Sequence, residues 1–208
     1  MQFANIIGQQ SLKQLLIQSV ANKRVPHAIM LLGQEGSGHL SLAVAFAQYL
    51  NCENRSVTDS CGECSSCNKA EKLIHPDIHF TYPVVSTKGT KPKSADFIEE
   101  WRKSFFENPY LNIQDWVESL DAENKQGNIS EAECHEIIRS LNFKTFESTY
   151  KVYIIWMPEL FGKEGNILLK SLEEPPENTI FILVADNQEQ ILNTILSRVQ
   201  MMKVQASR

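Results

Sequence analysis

Cys52, Cys61, Cys64 and Cys67 follow one another at the spacing C-x8-C-x2-C-x2-C. Four thiolates can surround a tetrahedral Zn²⁺ at Zn–S distances of about 2.3 Å. The C-x2-C-x2-C run brings three sulfurs onto one tight turn, where Gly62 and the neighbouring serines let the chain bend. Cys52 can close the set from the end of the helix before it. An iron–sulfur cluster uses related spacings, and free thiols or a disulfide pair are the plain alternatives. A closed four-thiolate site leaves no position for water, so zinc here is expected to be structural. Cys134 stands alone in a helical stretch and reads as a buried side chain.

The second group is "LLGQEGSGHLS", Leu31 to Ser41. It approaches the phosphate-loop pattern G-x-x-x-x-G-K-[S/T]. Gly33 and Gly38 hold the glycine positions, Gly36 adds a third, and Ser37 lies between them. The lysine position is His39 and the hydroxyl position is Leu40. Glycines and a helix N-terminus can still aim backbone N–H groups at phosphate oxygens. The charge that lysine places on the β- and γ-phosphates is gone, and so is the Mg²⁺-holding hydroxyl. Such a loop retains weak phosphate affinity at most and is not expected to catalyse phosphoryl transfer. ATP binding is therefore doubtful. The acidic partner motif fails independently. After "KVYII" the chain reads Trp156, Met157, Pro158, Glu159, where Asp followed by Glu is needed.

These residues require a scaffold of alternating strands and helices. "HAIMLLG" (His27–Gly33) reads as a buried strand and His39–Asn51 as the helix after the loop. Strands are also expected over Asp77–Val85, Lys151–Trp156, Asn178–Asp186 and "VQMMKV". Helices are expected over Ser11–Arg24, with Leu12, Leu15, Leu16 and Val20 on one side, and over Ser130–Asn142, Lys163–Glu174 and Glu189–Arg198. Ser130 and Glu133 form a capping-box pair at the start of theirs. Pro175 and Pro176 stop the helix before them. The alternation implies an α/β fold with a parallel sheet covered by helices on both faces.

Residues 86–127 change character. "STKGTKPKS" is polar, basic and broken by Gly and Pro, as in a mobile loop. Two amphipathic helices follow, over "ADFIEEWRKSFFE" and "NIQDWVESL". Lys88, Lys91 and Lys93 offer contacts to DNA or a partner, and Trp101, Phe105, Phe106 and Trp116 offer a small docking surface. Helices packed on the core are the plainer expectation.

The 208 residues are 42% hydrophobic and 22% charged, with net charge −5, which suits one soluble domain and argues against a wholly basic nucleic-acid binder. No apolar run approaches the roughly 20 residues of a membrane span, and the start lacks a secretory signal. A cytoplasmic protein without membrane contact is expected.

"FANIIGQQ", "VPHAIMLLGQEGSG", the four cysteines, "HPDIHF", "NILLKSLEEPPENTIFILVADN" and "ILSRVQ" occur in that order. The series resembles the AAA+ clamp-loader subunits of bacterial DNA polymerase III, with the delta-prime type nearest and the gamma/tau type next. It covers nearly the whole chain except 86–127, which departs from the family pattern. The resemblance implies an AAA+ P-loop domain with the zinc module (52–67) inserted after the first loop and helix. It also implies a place in a ring with gamma/tau and delta subunits, which opens a sliding clamp and sets it on primed DNA. Delta-prime subunits commonly lack the loop and acidic motifs, and His39, Leu40, Trp156 and Met157 fit that pattern. A catalytically active gamma/tau-like ATPase is the alternative. The family's Ser-Arg-Cys motif carries an arginine finger that reaches a neighbour's ATP site; here it reads Ser197-Arg198-Val199. Ile6, Ile7 and Gly8 match the family's adenine-contacting segment. The family continues into lid and collar domains, so residues 1–208 are expected to be the N-terminal domain of a longer protein.

Overall fold

The computed structural model describes residues 1–86, 91–121 and 125–205. In chain order the helices are α1 (Gln10–Ala21), α2 (His39–Asn51), α3 (Ser65–Glu71), α4 (Ile98–Glu107), α5 (Ile113–Ser119), α6 (Glu131–Leu141), α7 (Leu169–Glu173) and α8 (Asn193–Leu196). The strands are β1 (Ala28–Gly33), β2 (Ile78–Thr81), β3 (Lys151–Trp156), β4 (Thr179–Ala185) and β5 (Gln200–Val204). They form one parallel sheet in the order β2-β3-β4-β1-β5.

Side chains alternate between the two faces of a strand, and both faces here are covered. Ile29, Leu31, Val152, Ile154, Ile180 and Ile182 pack on one side with α2. Met30, Tyr153, Ile155, Phe181 and Leu183 pack on the other with α6 and α7. All residues of β3 and β4 are buried, so these strands read as continuous apolar runs rather than as alternation.

Four local expectations change. Leu15 is 47% exposed, although it was placed with the buried side of its helix. The Lys163–Glu174 stretch is mostly 3₁₀ helix over Pro158–Leu168, interrupted where Gly162 adopts φ +61°, and only Leu169–Glu173 is α-helical. Glu189–Arg198 contains only short turns around α8. Ser130 does cap α6, accepting the Glu133 N–H at 3.3 Å. The reciprocal half of the box is absent, because the Glu133 carboxylate accepts Thr81 Oγ1–H at 3.2 Å and Ser94 N–H at 2.8 Å instead.

The 94–121 helices belong to the core. Trp101, Phe105 and Trp116 are buried on the α2 side of the sheet, so no docking surface of four aromatics exists; Phe106 alone is exposed, at 53%. Trp101 stacks on Tyr82 at 4.1 Å, and Trp116 Nε1–H donates to the Pro83 carbonyl at 2.6 Å. Lys93 pairs with Glu136 at 2.7 Å and Lys91 is exposed, while Lys88 lies outside the described residues.

The N-terminal end of β2 holds a buried polar hub. Asp77 is 2% exposed and accepts N–H groups from Phe146, Glu147 and Ser148. Beside it, His79 stacks on Tyr153 at 4.7 Å. Burial, then the Lys151 cation, push His79 from 6.5 down to about 4. Between those values the unfolded chain binds the proton and the folded chain does not. Stability should therefore fall as pH drops from about 6.5 toward 4 and level off, for this group, below that. Burial lowers His75 as well. Urea unfolding across this window should show the slope, and His79→Phe should flatten part of it.

Candidate functional site

The four cysteine sulfurs lie within 4.8 Å of one another. Cys52 and Cys61 are 3.5 Å apart and Cys61 and Cys67 are 3.9 Å apart. A tetrahedron with metal–sulfur bonds of about 2.3 Å has edges of about 3.8 Å, so the four positions fit one metal ion. The separations are far from a disulfide bond, and all five cysteines are free. Backbone N–H groups serve the sulfurs in turn: Cys61 donates to Cys52, Cys64 to Cys61 and Cys67 to Cys64. N–H groups of Glu63 and Cys64 hold the Cys61 thiol down at about 6. Burial pushes the Cys52 and Cys67 thiols up, and a cation among the four sulfurs would favour their thiolate forms. Cys134 is fully buried and away from the set.

The module is tied to two other segments. Asp59 accepts the N–H groups of Phe3 and Ala4, and Gln2 Nε2 donates to the Ser60 carbonyl at 2.6 Å. On its other side, Ser66 and Ser148 both bond His75 Nε2 at 3.0 Å, and Lys69 meets Glu147 at 2.5 Å.

The glycine loop has the turn that its sequence requires. A Cβ on Gly33 would meet Ser37 Oγ at 2.4 Å, and Gly36 and Gly38 adopt φ +75° and +78°. Its contents differ from a phosphate site. Ser37, His39, Leu40 and Ser41 are all buried. His39 Nε2 lies 2.7 Å from Asp186 Oδ1, and Nδ1 lies 3.0 Å from Ser37 Oγ. The imidazole thus faces the end of β4 rather than the space above the loop. This Ser-His-Asp chain is not a nucleophile relay, because Ser37 is only 1% exposed and packs beneath Gly33. Leu40 is part of the core. Above the loop, the ring of Tyr110 lies against Gly38.

The acidic position is equally changed. Trp156, at the end of β3, is buried 5.3 Å from Trp101. Met157 follows at φ +61°. Glu159 Oε1 accepts N–H groups of Asp186 and Asn187 at 2.6 and 2.8 Å, which makes it a clamp on the end of β4. Burial pushes its carboxyl up.

Arg198 lies far from its own loop. β5 pairs with β1 from Gln200↔Ile29 to Val204↔Gly33, so Arg198 precedes the strand at the end opposite the glycines. At about 3.3 Å per residue, the two are separated by more than 13 Å. Its Nη1 donates to the Thr194 carbonyl at 2.8 Å and to Ser197 Oγ at 3.2 Å. Nε stands 3.3 Å from Glu173, within ion-pair range but without hydrogen-bond alignment. In the N-terminal segment Ile6 is buried and Ile7 is 67% exposed, so this stretch is only partly core.

A sequence-family model described as "DNA polymerase III, delta subunit" matches residues 8–208. The chain belongs to that family. The DNA polymerase III subunit tau of Bacillus subtilis (strain 168) is 30% identical over 200 residues, covering 95% of this chain and 28% of that protein. The subunit gamma of Buchnera aphidicola subsp. Acyrthosiphon pisum is 28% identical over 204 residues, covering 98% of this chain and 45% of that one. A solved structure of a gamma subunit-related protein from Thermotoga maritima superposes with a TM-score of 0.53 at 18% identity, covering 96% of this chain and 46% of that one. At that identity the likeness speaks for the fold alone. This DNA polymerase III family chain spans less than half the length of these relatives. Among its described residues, no helix is long and apolar enough to cross a membrane.

Sequence reasoning missed Tyr110, Asp186, Asp59 and Glu173. The Pro109-Tyr110 pair signals only a turn, and an Asp at a strand end carries no sign that a histidine 147 residues earlier will meet it.

Proposed function

We propose that this chain is a non-hydrolysing subunit of the DNA polymerase III clamp loader, of delta-prime type. The observation that carries this reading is the inward turn of His39 onto Asp186 in place of a phosphate-binding lysine. Leu40 in the core and Trp156 at the strand end support it, because neither can hold Mg²⁺. The carboxylate of Asp186 beside the loop would repel a polyphosphate that no lysine neutralises.

The chain's chemistry would then act on a neighbour. Ser197 and Arg198 are the residues we assign to it, with Arg198 offering its guanidinium to the γ-phosphate in an adjacent subunit's site. Distance from its own loop favours service in trans. Partners under this reading are gamma/tau and delta subunits, with the sliding clamp and primed DNA reached through the assembly, in the cytoplasm. The Cys52, Cys61, Cys64 and Cys67 set would hold structural Zn²⁺, since soft thiolates in a closed tetrahedron select it.

Names of the similar gamma and tau proteins favour a second reading, an active ATPase with an altered loop. Calorimetric titration of the purified chain with ATP and Mg²⁺ separates the two. No detectable heat, and no phosphate release over hours, is expected. Micromolar binding with turnover would overturn the proposal.

A further inference from the structure

The space over the glycine loop is filled by the chain itself. Were Gly38 to carry a Cβ, it would sit 2.8 Å from Tyr110 Cε1 and 3.4 and 3.5 Å from Cδ1 and Cζ, so the ring rests directly on the glycine. Tyr110 Oη accepts the Ile7 N–H at 3.3 Å. The Pro109 carbonyl accepts the hydroxyl of Ser41, in the first turn of α2. Three parts of the cleft, namely the N-terminal segment, the loop and the helix start, therefore meet one turn.

That turn is built to stay in place. Asn108 Oδ1 accepts the Tyr110 N–H at 3.0 Å, and the Asn108 carbonyl accepts the Leu111 N–H at 3.0 Å. Leu111 is buried. The flanking helices are anchored by Trp101 and Trp116, whose rings are 5.4 Å apart at 90°. Trp101 in turn packs on Trp156, the residue at the position of the missing acid. The degenerate site and the 94–121 helices are thus one piece of architecture.

We propose that the Asn108–Leu111 turn is a built-in occupant of the nucleotide cleft, and that Tyr110 braces the Ile6–Gly8 segment against the loop in the absence of nucleotide. The proposal deepens the non-hydrolysing reading and rests on it. A tethered group has an effective concentration in the millimolar range or above, and this one competes with a ligand for which the loop has no lysine. The subunit would therefore keep one conformation whatever the nucleotide level, as a fixed neighbour should.

Hydrogen–deuterium exchange on the whole chain tests the brace, with wild type, Tyr110→Phe and Tyr110→Ala compared with and without ATP and Mg²⁺. Tyr110→Ala should speed exchange over residues 6–8 and 36–41 about tenfold, on the scale of one lost hydrogen bond with its packing. The 61–71 segment and β3 should be unchanged, which shows the variant is folded. Tyr110→Phe should affect the Ile7 amide and leave 36–41 protected. Wild-type exchange rates in Tyr110→Ala would overturn the brace and leave the non-hydrolysing reading standing. ATP protecting 36–41 of the wild type while exposing 108–111 would overturn the built-in occupant, because nucleotide would then displace the turn, and phosphate release from the same sample would overturn the non-hydrolysing reading as well.

Discussion

If Arg198 serves a neighbour's site as proposed, Arg198→Ala in the assembled complex should lower ATP turnover at that site by about 10³-fold, the lower end for an arginine finger. The loss should appear in the chemical step, because in that role the guanidinium would meet charge that develops on the γ-phosphate oxygens in the transition state. Nucleotide affinity should change far less. Arg198→Lys should recover little, since a lysine ammonium lacks the planar fork. Single-turnover hydrolysis by the reconstituted complex reads the effect at the affected site, where a steady-state rate would be diluted by the other sites.

The isolated chain supplies the control. Among the described residues, the polar contacts of Arg198 are with its own turn and with Glu173, which is 58% exposed. A surface pair of this kind contributes about 0–1 kcal/mol, so the thermal midpoint should barely move. Unchanged turnover in the assembled Arg198→Ala complex would reduce Arg198 to a helix-end residue that satisfies the Thr194 carbonyl. Glu173 adds a second readout. Glu173→Gln removes the ion pair while Nη1 keeps the Thr194 carbonyl, so it should leave the chemical step intact.

The second large effect is on the cysteine cluster. Cys67→Ser should abolish stoichiometric zinc binding. Loss of an outer-shell partner alone typically weakens a site 10–100-fold, and Cys67, itself buried, would be a direct ligand, so the loss should exceed about 100-fold. Metal content by atomic emission checks this directly. Chelation of the wild type should have the same structural consequence. With the metal gone, the thiolates repel or protonate, and Asp59 and Ser60 lose the frame that presents them to Phe3, Ala4 and Gln2. Exchange at the Phe3 and Ala4 amides should rise well before that of β3 or β4. The Phe146–Ser148 amides should respond less. Their acceptor is Asp77, outside the module, and the module reaches them through side chains, by Ser66, His75 and Ser148 and by the Lys69–Glu147 pair. A full complement of zinc in Cys67→Ser would show that the cluster is not the metal site, and Phe3 and Ala4 amides indifferent to chelation would show that it is not the anchor described.

Much of this was legible in the chain. Continuous apolar runs specify strands buried on both faces, and β1, β3, β4 and β5 appear within one residue or two of where the sequence puts them. His39–Asn51 is helical over its whole expected length. Cysteine spacing forecast the cluster, because ligands on one short stretch can converge only locally. The absence of lysine, hydroxyl and acid was readable too, since motif positions are fixed by chain spacing. Tertiary structure decided what fills those places. His39 meets Asp186 across 147 residues, Tyr110 meets Ile7 across 103, and Pro109 meets Ser41 across 68. Contacts at such separations leave no periodicity or spacing behind, so the sequence shows a vacated site while only the packed sheet, with Trp101 seated on Trp156, brings the chain's own turn into it.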